Sequence, residues 1–251
     1  MIHENLNTLE NTEYNLARLT PTYRDCHYLV LSDLRLALDA FQTDQQMTVL
    51  DFGCGGSPYR ALFPRADYRR ADFVDLTNLD YVIGADSRVA EQSEHFDMIL
   101  STQVLEHVPD PAAYLRECHR LLKKDGLLLC STHGSYEDHG CPYDFHRWTA
   151  DGLQMAVQNA DFRIRSISKL TSGPRALMFL VESYCSVVRF PRSSVGGLAW
   201  RLVRRAISHG RVGFHALCDR RFSQNRVVDA ASPGHTIYIG LLVCAERSAD
   251  V

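Results

Sequence analysis

Asp51, Gly53 and Gly55 sit in the run TVLDFGCGGSPY, Thr48 to Tyr59. A carboxylate followed by glycines at alternate positions can present one acid and bare backbone to a small ligand. The dinucleotide fingerprint needs a third glycine three positions after the second, beside a pyrophosphate, and Pro58 stands there instead. Asp51 would also repel a diphosphate and suits a ligand carrying positive charge. Both features disfavour a nicotinamide oxidoreductase. Asp72 falls seventeen residues after Gly55, about where an acid can accept hydrogen bonds from both ribose hydroxyls, with Asp67 and Asp75 as competing carboxylates. Further along, THGSYEDHGCPYDFHRWT (132–149) collects His133, Tyr136, Asp138, His139, Asp144, His146 and Arg147. Histidine takes up a proton near neutral pH, so His133 or His139 is the candidate general base. His139, Cys141 and His146 are competent zinc ligands, but their spacing matches no standard zinc module and no metal is expected. Asp144 and Arg147 could equally pair with each other, and Trp148 could belong to the core.

Such residues need elements to carry them to one place. Thr48, Val49 and Leu50 read as a buried parallel strand, and Ser57-Pro58 as an N-cap with proline at the first helical position. The region 1–22 reads as peripheral, and 24–41 as an amphipathic helix leading into the first strand, from which Tyr23 or Arg24 could reach the pocket. Further strands are expected at 68–73, 81–85, 96–101 and 127–131. Asp110-Pro111 caps a helix that Asp125-Gly126 should end, and Thr149 caps another reaching Asn159. Alternating strand and helix with short loops means an α/β fold, a doubly wound, mainly parallel sheet that binds ligands at the carboxyl ends of its strands. Gly53, Asp72, Asp86, Gln103 and Thr132 all fall at such ends.

The pattern D-x-G-x-G resembles motif I of the class I S-adenosylmethionine-dependent methyltransferases. FDMILSTQVLEHVPDP (96–111) resembles the fourth-strand block of the type 11, ubiquinone-biosynthesis-like family, and H-x-x-P-x-D-x-x-R-W-T resembles a segment of some of its members found with glycan and lipid biosynthesis. The resemblance implies S-adenosylmethionine as cofactor and a seven-stranded sheet. It assigns Gly53, Cys54 and Gly55 to the cofactor loop, Asp51 to its ammonium, Asp72 and Phe73 to the ribose, and Asp86 and Ser87 to the adenine. Thr102 and Gln103 would line the same pocket from the fourth strand end. The implied reaction is methyl transfer to a small-molecule, sugar or lipid-linked acceptor, with oxygen favoured. The alternatives are a non-catalytic cofactor-binding or interaction protein and, further off, an RNA methyltransferase. The Asn/Asp-Pro-Pro-Tyr/Phe motif of nucleobase methylation is replaced by Ser101-Thr102-Gln103-Val104.

The chain has 251 residues, 45% hydrophobic, enough to build a core without staples, and a net charge of −3 that makes nucleic acid an unlikely partner. Eight scattered cysteines without a C-x-x-C pair fit a reducing compartment, and the polar start and lack of a long apolar run suggest a cytoplasmic protein. Strands at 162–170 and 236–244 should close the sheet, but some 65 residues separate them. The expected organisation is a helical cap over 1–44, a core over 45–170, a helical basic insert over 171–234 and the last strand over 235–251. Between Arg189 and Arg226 the insert carries nine arginines against one acid, Asp219. This could be a solvated face, or a platform for an anionic substrate or peripheral membrane contact.

Overall fold

The computed structural model describes residues 13–73, 79–187, 195–232, 234 and 236–248. The first five strands, β1 (Thr48–Phe52), β2 (Asp67–Asp72), β3 (Tyr81–Val82), β4 (Phe96–Thr102) and β5 (Leu122–His133), are all parallel. Three antiparallel strands complete the sheet: β6 (Phe162–Ser172), β7 (Val227–Asp229) and β8 (Tyr238–Arg247). The order is β3-β2-β1-β4-β5-β8-β6-β7. Strand order reverses between β1 and β4, and such a reversal opens a crevice at the carboxyl ends. The sheet carries one strand more than the seven expected, because the insert contributes β7, which pairs with β6 at Ser168–Leu170.

Among the described residues six helices flank the sheet: α1 (Glu13–Leu19), α2 (Tyr28–Asp39), α3 (Pro111–Leu121), α4 (Ala150–Gln158), α5 (Gly173–Val187) and α6 (Val195–Arg221). Side chains alternate along β1, so Leu50 and Phe52 pack with Tyr114 and Leu115 of α3 and Leu153 of α4. Val49 faces the other way, among Leu34 and Leu38 of α2. The expected caps form: Asp110 Oδ1 accepts from Ala113 N at 3.0 Å, and Thr149 Oγ1 from Gly152 N at 3.1 Å.

Two local expectations fail for physical reasons. No α-helix follows the glycine loop. Ser57 takes φ 53° and its hydroxyl accepts from Arg70 Nε at 3.0 Å, leaving only a 3-10 turn over Arg60–Leu62 before Pro64. The Asp125-Gly126 turn lies inside β5 rather than ending a helix; Asp125 takes φ 62° and the β4–β5 register shifts there. In the same stretch Lys123 reaches Asp97 at 2.8 Å.

The helices of the insert clamp α2. Arg175 is fully buried, donates to both carboxylate oxygens of Asp33 at 2.7 and 2.9 Å, and reaches Asp219 at 2.8 Å. Arg226 donates to the same Asp33 at 2.7 Å, and Arg211 to Glu182 at 2.7 Å. Of these nine arginines Arg189 and Arg192 lie outside the described residues; among the described seven, Arg211 and Arg226 are thus structural, whereas Arg201, Arg204, Arg205, Arg220 and Arg221 are exposed. Among the described residues no helix is long and apolar enough to cross a membrane.

Candidate active site

A cavity of about 260 Å³ opens at the carboxyl ends of β1, β4 and β5. Its first wall is the glycine loop, through Gly53, Cys54, Gly55 and Pro58. The amides of Gly53 and Cys54 both donate to Ala71 O at 2.9 Å, tying the loop to β2. Gly53 has φ +82°, and a Cβ there would lie 2.6 Å from the Val104 methyls. Its glycine requirement therefore comes both from the left-handed backbone and from packing on Val104. Gly55 has φ +49° and a Cβ there would meet nothing within 4 Å, so this residue opens onto free space.

The carboxylates stand behind and beside this loop. Asp51 is buried and accepts from Tyr68 Oη at 2.8 Å; burial pushes its carboxyl up to about 7. Asp72 accepts from Gly55 N at 2.7 Å, at the edge of the loop it was expected to serve. Of its competitors, Asp67 pairs with Arg69 at 2.9 Å on the surface, and Asp75 lies outside the described residues. Phe73 is exposed and stacks on Tyr114, with ring centroids 6.4 Å apart. Asp86 is not on the cavity wall: it is exposed, accepts from Arg88 N at 3.1 Å, and lines a separate hollow with Arg88, Arg116 and Arg120. Ser87 is buried at φ 65° with its amide on Gly84 O. Thr102 and Gln103 do line the cavity, Gln103 in the left-handed region with its amide on Ser131 O at 2.9 Å.

The second wall is a histidine cluster that contains both expected bases. His133, at the end of β5, is buried, stacks on Tyr136 at 4.0 Å and lies 3.2 Å through Nε2 from Glu106 Oε1. His139 packs edge-on against His133 at 4.9 Å and His107 at 4.6 Å. Burial drives the His133 imidazole well below its ordinary value and lowers His139, with neighbouring imidazoles acting in the same direction. Both rings are consequently neutral at pH 7 and able to accept a proton. Glu106 is fully buried, which pushes its carboxyl up to about 7, and its Oε2 accepts from Thr132 Oγ1 at 2.7 Å.

Residues 134–149 are fixed by long-range hydrogen bonds. Glu106 O accepts from the amides of Phe145 and His146, and Trp148 N donates to His133 O. Asp144 and Arg147 do pair, in a two-pronged contact at 2.6 and 2.8 Å that holds the Asp144 carboxyl well below its usual range. Arg147 also donates to the carbonyls of Tyr136 and Glu137. Trp148 packs against the core.

Several lining residues lay outside the sequence expectations. Glu106 and His107 were visible in the fourth-strand block, yet nothing in their spacing pointed them at a pocket. The third wall comes from the N-terminal segment: Tyr14, Arg18, His27, Val30 and Leu31. Asn15 Nδ2 donates to Gly56 O at 2.7 Å, so α1 is a lid on the glycine loop rather than a peripheral stretch. Tyr23 and Arg24 face the insert instead: Tyr23 Oη donates to Asp219, and Arg24 O accepts from Arg211.

A "Methyltransferase domain" family model matches residues 24–168. A ubiquinone biosynthesis O-methyltransferase of Cereibacter sphaeroides is 36% identical over 35% of this chain and 42% of its own length. The chain thus matches less than half the length of that curated relative. Among solved structures, an S-adenosylmethionine-dependent methyltransferase of Mesorhizobium loti superposes with a TM-score of 0.51 and 15% identity, covering 86% of this chain and 98% of that one. The [4+2]-cyclase SpnF superposes at 0.53 with 16% identity, covering 88% and 82%. Identities this low establish the shared fold. With the family model spanning well over half of the sequence, the chain belongs to the methyltransferase-domain family, within the class I, S-adenosylmethionine-dependent methyltransferases.

Proposed function

We propose that this chain transfers the methyl group of S-adenosylmethionine to an oxygen of a small acceptor held against the histidine cluster. The observation that carries the reading is the single cavity lined at once by Gly53–Gly55 and by His107, His133 and His139. The residues present suit the cofactor. Gly55 opens onto free space, Asp72 offers a carboxylate to a ribose, and Asp51 offers a carboxyl that an arriving ammonium would ionise. The nearby guanidinium of Arg70 is engaged by the loop itself, through Gly55 O and Ser57 Oγ. Arg18, on the cavity wall, offers a cation to the cofactor's carboxylate. Thr102 and Gln103 complete its enclosure. Asp86 and Ser87 keep the adenine role only if the ligand reaches past Ile83. Once bound, the sulfonium supplies an already electrophilic methyl carbon. The chain contributes alignment and proton removal. His139 is the better-placed base, being partly exposed where His133 is only 4% so. Arg147 and Asp144 hold the loop that carries it.

An acceptor with a lipid or glycan portion has room to extend. Tyr136 also borders a second, strongly apolar groove along Leu177, Leu180, Val181 and Tyr184 of α5. On α6, Leu198, Arg201, Leu202 and Arg205 form one exposed stripe of alternating apolar and cationic side chains, which suits the interface of an anionic membrane. Sedimentation with vesicles containing anionic lipid should capture the chain, and Arg201→Glu/Arg205→Glu should release it. Equal capture of the double variant removes the membrane role.

The test of the reaction is transfer of an isotopically labelled methyl group from S-adenosylmethionine to a panel of hydroxyl, amine and thiol acceptors. Labelled methyl ether that His139→Ala reduces by about 100-fold or more supports the assignment. Transfer confined to nitrogen or sulfur overturns the choice of oxygen.

A further inference from the structure

We propose that Glu106, His133 and His139 form a binding site for one divalent cation of the zinc or cobalt class, on the β4–β5 side of the cavity. The three side chains each offer a ligand atom, and these atoms lie within 4.8 Å of one another. Around an ion with bonds of about 2.1 Å, tetrahedral donors stand about 3.4 Å apart. The Glu106–His133 pair meets that spacing at 3.2 Å, and His139, the one member on a loop, lies within 4.8 Å of both and is the member free to close the set.

The independent observation is polar groups left unmatched. Glu106 is fully buried, yet Oε1 has no hydrogen-bond partner among the described residues, although His133 Nε2 lies 3.2 Å away. The two atoms are at hydrogen-bond distance without hydrogen-bond direction. A buried carboxylate oxygen in that state costs stability, and a shared cation would satisfy it together with the imidazole. His133 Nδ1 is buried and unpartnered as well. The flanking groups are oriented as supports for a metal. His139 Nδ1 faces Glu137 O at 3.3 Å, leaving Nε2 as the available ring nitrogen, and Thr132 Oγ1 fixes the other Glu106 oxygen. His107 and Asp144 make a second triad with His139, and His107 Nδ1 is held by Tyr143 O at 2.6 Å. The zinc ligands suggested by sequence alone share only His139 with these sets; Cys141 and His146 belong to neither. A nitrogen-and-oxygen donor set of this kind suits zinc, cobalt or manganese.

This goes beyond the methyl-transfer reading and stands without it. In the loaded protein the two imidazoles serve as ligands, so activation of an acceptor oxygen would fall to the cation instead of to His133 or His139. The experiment is titration of the chelator-treated full chain with Co²⁺, followed by its visible ligand-field absorption. One Co²⁺ per chain is expected, displaced by Zn²⁺. Glu106→Gln and His139→Ala should each weaken binding by at least the ~10–100-fold that even supporting residues cost. Cys141→Ser should leave the spectrum unchanged. If Glu106→Gln fails to fold, His139→Ala on the loop still decides. No saturable cobalt binding, a thiolate charge-transfer band, or wild-type affinity in His139→Ala overturns the proposal. S-adenosylhomocysteine affinity measured on the same metal-free sample tests the methyl-transfer reading separately.

Discussion

On the β1–β2 side of the cavity the backbone does the positioning. The Gly53 and Cys54 amides share one carbonyl, Gly55 N binds Asp72, and Val104 fills the space where a Gly53 side chain would be. On the β4–β5 side, side chains share the positioning with the backbone. Glu106 binds Thr132 through its carboxylate and receives two amides of the loop on its backbone carbonyl, while within the loop Arg147 pairs with Asp144 and donates to two carbonyls. A backbone-built wall depends on residue type at a few fixed positions and tolerates little. A side-chain-built wall can be altered one contact at a time without collapse. The difference fits a site in which one half takes a fixed ligand and the other a variable one.

Substitutions should separate the two halves. Gly53→Ala combines the ~1–2 kcal/mol of a left-handed non-glycine residue with ~1–3 kcal/mol of overpacking against Val104, so chemical denaturation should show a loss of about 2–5 kcal/mol. Asp72→Ala should weaken S-adenosylhomocysteine binding by roughly 10–100-fold, since it removes charged hydrogen bonds of ~1.5–3 kcal/mol. Wild-type affinity in the folded variant would pass the ribose role to Asp75 or Asp67. Arg147→Ala should leave that affinity unchanged and raise the KM of the acceptor. A variant that lost both ligands together would erase the distinction between the walls. Gly55→Ala, with open space around the new methyl, should cost only the ~1–2 kcal/mol of its backbone conformation. A loss as large as that of Gly53→Ala would mean that Val104 is not what constrains the loop.

The same contrast explains what could be read from the chain. Strand ends are set by sheet register, so periodicity and turn residues placed Gly53, Asp72, Gln103 and Thr132 at one edge. Asp86 escaped this logic because β3 stops at Val82, four residues earlier, and the turn that follows carries the carboxylate away from the cavity. The Ser57-Pro58 helix start failed because Arg70, thirteen residues on, claims the serine hydroxyl. Glu106 and His107 were plain in the sequence, but their convergence on His133 and His139 depends on the fold of residues 134–149, which no local pattern encodes. Likewise the placement of α1 over the glycine loop, through a hydrogen bond from Asn15 to Gly56, spans 41 residues of sequence. The arginine-rich insert looked uniform in sequence, whereas Arg211 and Arg226 are bound into buried acids and Arg201, Arg204, Arg205, Arg220 and Arg221 face solvent.

The most direct test of the cofactor site is calorimetric titration with S-adenosylhomocysteine at pH 6 in two buffers of different ionisation enthalpy. Asp51 titrates at about 7 in the free protein, above its ordinary value, so at pH 6 it is mostly protonated. An arriving ammonium favours the carboxylate and expels that proton. Binding in the roughly micromolar range, with close to one proton released at pH 6 and little at pH 8, is the expected result. Affinity should then rise with pH until about 7 and level off. Binding without proton release would take Asp51 out of the site. No binding by the folded chain would contradict the assignment of the cavity to the cofactor.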